Sequence, residues 1–502
     1  MALPPLPSAG DSKGDDAPLS HEELKHRTSA GVFIVGSRGV ILFLIAFAGN
    51  IALARLLDPE AFGIIAIGMS VLLVSGLLAD GGLGAALIRR PSPPLHDELG
   101  GLVALQVGVS GAVALLAAVI AAAVGGQAWI IAAMAFAMPI VVLQFPGRIT
   151  LERALSYRPL AIVEVSQVLA YYGVAIALVA AGLGLWGVVI ATLMRAAVGS
   201  AIMVRVSPVG AVAPRFVWQR IRPLMAFGLR FQAVEATWIA REQLLNALIA
   251  VIASVATLGL WRLAGRLMEV PQLLFQALWR VSFPAMSRLV TAKAVEAALI
   301  ERAAGMTLIG AGTVLVGLAG SAPGLVPGLF GEQWNDAAAV IPWSCLGLAI
   351  GGSMSVATTG YLFATDDASS VLRAGILQSI AWFVVTLPLL NVVGVAAVGL
   401  GWIASSLVQA VVVVRATKRT LPIRFSAVVL TPVAIGVLAA IPGWLVANVN
   451  DDLVTGIAGG ALSVCLFQLG LLATRGPLLR ETYGFALDAM RAASSRRGSA
   501  GT

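Results

Sequence analysis

The chain has 502 residues, 59% of them hydrophobic and 12% charged, with a mean hydropathy of +0.93, whereas soluble domains are roughly 25% charged. Soluble domains of this total length would need more polar surface than the composition supplies, and the net charge of +8 forms no dense basic patch with interleaved aromatics, so nucleic acid is excluded as a partner. Cys345 and Cys465 lie in apolar runs, while His21, His26 and His96 lie outside them; this argues against a disulfide framework, a metal cluster and a histidine-based catalytic site.

In chain order, residues 1–28 are rich in Pro, Ser, Asp and Lys and read as a disordered tail. The apolar run that follows starts too late and continues too long for a cleaved signal peptide. A spanning helix takes about 20 mostly apolar residues. About fourteen such segments follow, at 31–54, 61–87, 99–124, 127–147, 160–181, 185–206, 222–250, 253–287, 299–322, 336–363, 370–390, 395–415, 425–447 and 453–473. Their continuity excludes the alternating strands of a membrane barrel, so the expected fold is an all-α membrane protein with about 14 transmembrane helices.

Orientation follows from the rule that Lys and Arg stay in cytoplasmic loops. The loops after helices 2, 4, 6, 8, 10 and 12 hold seventeen of them, from Arg89 and Arg90 to Arg415, Lys418, Arg419 and Arg424, and the alternate loops hold only Arg55. Both termini are then cytoplasmic, in agreement with the basic tail from Arg475 to Arg497. The outer loops are short, and their charges are mostly acidic: Asp58, Glu60, Glu332, Asp336, Asp451 and Asp452. They leave no room for an external catalytic domain, so the expected protein is not an enzyme.

A faint internal repeat is visible. Gly36-Ser37-Arg38 on helix 1 matches Gly228-Leu229-Arg230 on helix 7, and Glu60-Ala61-Phe62-Gly63 on helix 2 matches Ala256-Thr257-Leu258-Gly259 on helix 8. The implied organisation is the tail 1–28, an amino-terminal lobe 29–207 (helices 1–6), a linker 208–221, a carboxyl-terminal lobe 222–419 (helices 7–12), helices 13 and 14 in 420–474, and a cytoplasmic tail 475–502. Transporters are commonly built from such repeats, with the substrate site between the halves.

Several short motifs occur in order along the chain. They are Arg55-Leu56-Leu57-Asp58-Pro59-Glu60-Ala61-Phe62-Gly63, Leu78-Ala79-Asp80-Gly81-Gly82-Leu83-Gly84, Gly182-Leu183-Gly184-Leu185-Trp186-Gly187, Ser282-Phe283-Pro284-Ala285-Met286-Ser287-Arg288-Leu289 and Leu329-Phe330-Gly331-Glu332-Gln333-Trp334. With them the chain resembles, from about residue 30 to 420, the polysaccharide transporter (Wzx-type) branch of the flippase and multidrug exporter superfamily. The resemblance implies two six-helix lobes that open alternately, helices 1, 2, 7 and 8 lining a central cavity, and helices 13 and 14 offering a hydrophobic groove for a lipid tail. It implies a flippase for undecaprenyl-diphosphate-linked oligosaccharide repeat units in the bacterial cytoplasmic membrane. Membrane lipids, a polysaccharide polymerase and glycosyltransferases are the implied partners. No cofactor or metal is implied, and coupling to H+ or Na+ stays open.

Ionisable residues within the spans test that picture, because a charge near the bilayer centre costs roughly 3 kcal/mol and must face water or a partner. Arg38 lies on helix 1 and Asp80 on helix 2; Arg230, Glu235, Arg241 and Glu242 lie on helix 7, and Arg262, Arg266 and Glu269 on helix 8. Helices 3, 4, 9, 11, 13 and 14 carry almost none in their interiors. Arg262, Arg266 and Glu269 share one helix face. Arg38, Arg230, Arg241, Arg262 and Arg266 are the candidate diphosphate ligands, since guanidinium binds such groups in a bidentate fork; Asp80, Glu235, Glu242 and Glu269 are the candidate cavity or ion-coupling carboxylates. A purely structural pairing of the two sets stays open beside this, as does pairing of Asp80 near Arg89 and Arg90 and of Glu164 with Arg195. A cation-coupled multidrug exporter, which would want a carboxylate on helix 1 where Arg38 stands, and a membrane glycan polymerase or ligase are the competing functions. The match of Gly182, Gly184 and Gly187 to a dinucleotide fingerprint lacks the required strand and acidic residue.

Overall fold

The computed structural model describes residues 21–291, 297–450 and 452–499, and, from Arg38 onward, most of their side chains. Fourteen long helices organise them: α1 (His21–Leu56), α2 (Pro59–Asp80), α3 (His96–Val124), α4 (Ala128–Arg153), α5 (Tyr157–Leu183), α6 (Leu185–Val206), α7 (Trp218–Ile252), α8 (Val255–Thr291), α9 (Ala297–Phe330), α10 (Ile341–Ala364), α11 (Ala368–Val393), α12 (Ala396–Thr417), α13 (Phe425–Ala447) and α14 (Leu453–Ser499). No strand occurs among the described residues. Twelve of the helices are long and apolar enough to cross a membrane. The other two, α7 and α8, are 35 and 37 residues long but more polar. The protein is a multi-pass, all-α membrane protein.

Local chemistry sets the boundaries. Asp58, Asp367 and Asp452 act as N-caps: Asp58 Oδ1 accepts from the Ala61 amide at 2.7 Å, Asp367 Oδ1 from Ser370 at 3.2 Å and Asp452 Oδ1 from Thr455 at 2.7 Å. Pro59 follows Asp58 where a missing amide costs nothing. The segment expected to be continuous over 61–87 is broken after Asp80. Gly81 and Gly82 adopt positive φ (52° and 72°), which glycine accepts without a Cβ clash, and a short helix, Leu83–Arg89, starts afresh. Residues 1–20 of the expected disordered tail lie outside the described residues, whereas 21–28 are helical and belong to α1. Likewise α14 continues through a kink at Arg475 to Ser499, well past the apolar segment.

Helices α13 and α14 pack on α9, α11 and α12 on each other, and α1 on α5. One apolar core runs from Leu53, Phe62 and Tyr171 through Trp261 to Phe330 and Trp334, so it joins α1, α2 and α5 to α8 and α9. Helices α2 and α8 cross in close contact at the end of the bundle that carries the acidic loops. A Cβ on Gly63 would collide with the carbonyl oxygen of Val255, and a Cβ on Gly259 with that of Pro59. Each glycine thus presses on the carbonyl four residues before the other, the geometry a two-fold related repeat produces. Around this crossing, Trp334 is fully buried, packs edge-on to Phe62 at 4.8 Å, and donates from Nε1 to the Ala54 carbonyl at 2.8 Å. Arg55 donates to the carbonyls of Leu329 and Gly328 at 2.8 and 2.7 Å. At the other end, Gly82 sits against Gly228 of α7, and Gln232 Nε2 donates to the Leu77 carbonyl at 2.7 Å. The basic-loop residue Arg153 caps the short helix, donating to the carbonyls of Leu87, Ile88 and Arg90.

Candidate functional site

Arg262, Arg266 and Glu269 occupy one face of α8, as their spacing requires, and that face walls a cavity of about 510 Å³. Arg241 and Glu242 of α7 share the same cavity, and α10, α11 and α12 complete it. Arg262 Nη1 donates to Glu242 Oε1 at 3.0 Å, tying α8 to α7, and Arg266 Nη1 donates to Glu269 Oε1 at 2.7 Å within α8. Arg241 lies over the ring of Trp382, 5.5 Å from its centroid. The four partners of the two ion pairs keep 34, 58, 38 and 42% of their side-chain surface exposed. At such exposure each pair contributes about 0–1 kcal/mol, so an incoming anion displaces a glutamate at little cost. Among the described residues, three arginines stand against two glutamates on this wall.

The remaining expected residues lie elsewhere. The described lining side chains all come from α7, α8, α10, α11 and α12, so the expected contribution of arginines from both halves is not seen among the described residues of this cavity. Because α1 packs on α5, Arg38 meets Glu164 at 3.2 Å; Glu164 is therefore not paired with Arg195, which lies 6.0 Å from the Tyr171 ring centre. Arg230 is exposed and does not line the cavity. Asp80 does not reach Arg89 or Arg90 either: its carboxylate accepts from the Gly82 and Gly84 amides at 3.1 and 3.3 Å and caps the short helix. The Glu235 side chain lies outside the described residues. The Tyr172 hydroxyl of α5 accepts from Asn50 Nδ2 of α1 at 2.8 Å.

Sequence reasoning missed the uncharged part of the wall. Trp261, Trp382 and Trp402 pack against one another with ring centres 5.8 to 6.4 Å apart, and Gln272, Gln276, Gln378 and Gln409 also line the cavity. The signal available was tryptophan and glutamine inside apolar spans, where a polar group needs a partner or water. A second cavity, about 480 Å³ and almost wholly apolar, lies between α9, α10 and α13 with Phe467 of α14 at its side. Helix α13 supplies one wall of it and α9 and α10 the opposite one, while α14 contributes Phe467.

Residues 52–339 match the family model described as polysaccharide biosynthesis protein. The chain belongs to that family. The matched stretch of this polysaccharide biosynthesis protein holds the α2–α8 crossing, Trp334 and both ion pairs. No curated protein sequence matches the chain. Among solved structures, the lipid II flippase MurJ in an inward closed conformation superposes with a TM-score of 0.66 at 10% identity, covering 89% of this chain and 100% of MurJ. An inward-facing multidrug resistance transporter of the MATE family, MOP superfamily, superposes with a TM-score of 0.53 at 14% identity, covering 77% of this chain and 95% of that one. At these identities the likeness is one of fold.

Proposed function

We propose that this protein is a flippase that carries a lipid-linked oligosaccharide across the bacterial cytoplasmic membrane by alternating opening of its two lobes, with the basic loops on the cytoplasmic side. The observation that carries the reading is the pair of half-exposed Arg–Glu bridges in a cavity walled by α7, α8, α10, α11 and α12. A lipid diphosphate presents two negatively charged groups whose oxygens match guanidinium forks. Arg262 and Arg266 take them, and Glu242 and Glu269 are released to bind a proton or cation where transport is coupled to one. The prenyl chain stays in hydrocarbon against the apolar groove between α9, α10 and α13, which spares it the cost of crossing a polar cavity.

Both described carboxylates in the cavity are already neutralised by arginine. A site for hydrophobic cations would present them uncompensated, which ranks the multidrug exporter second. The test is reconstitution into vesicles with a fluorescent undecaprenyl-diphosphate oligosaccharide. Wild type should equilibrate the probe between leaflets faster than protein-free vesicles, and Arg262→Ala/Arg266→Ala should not. Equal rates for the wild type and the double variant would refute the diphosphate assignment.

A further inference from the structure

Beyond the two ion pairs, the 510 Å³ cavity carries chemistry that a diphosphate does not use. Its inner wall joins three tryptophans from three helices, α8, α11 and α12. Trp261 is 8% exposed and forms the base, Trp382 and Trp402 are half-buried, and Trp382 is held in place by donating from Nε1 to the Val398 carbonyl at 3.2 Å. Indole rings offer broad apolar faces at low conformational cost, and such a face matches the C–H side of a pyranose ring. Around them stand four glutamines, none of whose amides is hydrogen-bonded within the described residues. Each amide supplies two donors and one acceptor without charge, the complement of a sugar hydroxyl or acetamido group. Amides left open inside an apolar bundle have to be satisfied by water or by a ligand.

We propose that this chamber is a glycan subsite housed wholly in the carboxyl-terminal lobe. It takes an uncharged pyranose unit next to the diphosphate, stacked on Trp402 and hydrogen-bonded by Gln378 and Gln409, while Trp382 backs Trp402 and Arg262 and Arg266 mark its charged side. The volume is within the roughly 300–1,000 Å³ of small-molecule sites, so it holds a short glycan and not a polymer. The inference deepens the flippase reading by naming the sugar class and its position.

The test uses the full chain in lipid nanodiscs and soluble probes: a panel of methyl pyranosides (gluco, galacto, manno, rhamno and N-acetylglucosamino forms) and, separately, inorganic pyrophosphate, each read by saturable calorimetric binding. At least one pyranoside should bind. Trp402→Ala and, as a variant that keeps the aromatic packing, Gln378→Leu/Gln409→Leu should each weaken that binding about tenfold. Both should leave pyrophosphate binding unchanged, and Arg262→Ala/Arg266→Ala should do the reverse. No pyranoside binding, or binding that survives both the tryptophan and the glutamine variants, overturns the subsite. Failure of the vesicle exchange assay with saccharide binding intact would sink the flippase reading alone, so the two outcomes are separable.

Discussion

The α2–α8 crossing is the most sharply testable feature of the closed arrangement. In Gly63→Ala the new methyl would overlap the Val255 carbonyl oxygen and lie 2.8 Å from the carbonyl carbon, against the 3.4 Å at which ordinary contact begins. The obstacle is backbone, so no side-chain rotation relieves it and the helices must separate. Overpacking of this kind costs about 1–3 kcal/mol. On the alternating-lobe reading proposed above, the penalty falls only on the state in which α2 and α8 touch, and it raises the relative population of the state open at the acidic-loop end by about 5–150-fold. Gly265 provides the reporter, because it lines the cavity and a Cβ there has nothing within 4 Å. With Cys345 and Cys465 replaced by alanine, Gly265→Cys is labelled with a membrane-impermeant maleimide applied from the side of the acidic loops. Adding Gly63→Ala should raise the labelling rate by the same factor. An unchanged rate in a variant that still elutes as a folded monodisperse species would refute the view that this crossing closes the path.

Further outcomes follow from neighbouring contacts. Arg55→Ala removes two hydrogen bonds to the Leu329 and Gly328 carbonyls; the arginine is exposed, so the loss is about 1 kcal/mol, read as roughly fivefold faster Gly265→Cys labelling. Trp334→Phe keeps the packing on Phe62 but drops the indole donor to Ala54, whose carbonyl retains Gln333 as a donor at 2.9 Å, and thermal unfolding in detergent should show a loss of about 0.5–1.5 kcal/mol. Asp80→Asn weakens a helix cap worth about 1 kcal/mol and should lower the melting temperature without altering leaflet exchange. Loss of a proton- or sodium-gradient dependence in that variant would reassign Asp80 to coupling. The Thr455 amide and hydroxyl hold the Asp452 carboxyl below the usual carboxylate range. Its contribution to stability is therefore complete above the unfolded-state value and fades as pH falls through the lower folded value. Asp452→Asn should flatten the acid limb of the melting curve in that window.

Much of this architecture is legible in the residues because hydrocarbon punishes polar backbone, so long apolar runs have only helices open to them. The segments expected at 185–206 and 425–447 coincide with α6 and α13, since glycine turns or charged loops delimit them sharply. Hydropathy cannot see past the bilayer, so it stops short of the helical extensions of α1 to His21 and of α14 to Ser499. It also runs through the Gly81–Gly82 break, whose cause is a positive φ and not polarity. The Arg262, Arg266 and Glu269 face is readable because it is local to one helix. Where Arg38 points is not, since that depends on which face of α1 meets α5. The tryptophan and glutamine wall draws on residues up to 148 positions apart, from Trp261 to Gln409, and nothing local announces that they converge. The dinucleotide-like glycines, by contrast, resolve into a turn between α5 and α6 with Gly182 and Gly184 at positive φ, as their lack of a preceding strand implied.

The mutual seating of Gly63 and Gly259 has one more consequence. Where two helices touch through bare backbone, no rotamer hop can make a transient leak, and no film of water fits between them. Breaching such a seal takes displacement of whole helices, a slow collective event compared with side-chain motion. On the flippase reading proposed above, such a seal keeps protons and ions from escaping down their gradients between transport cycles, which a gasket made of mobile side chains would not.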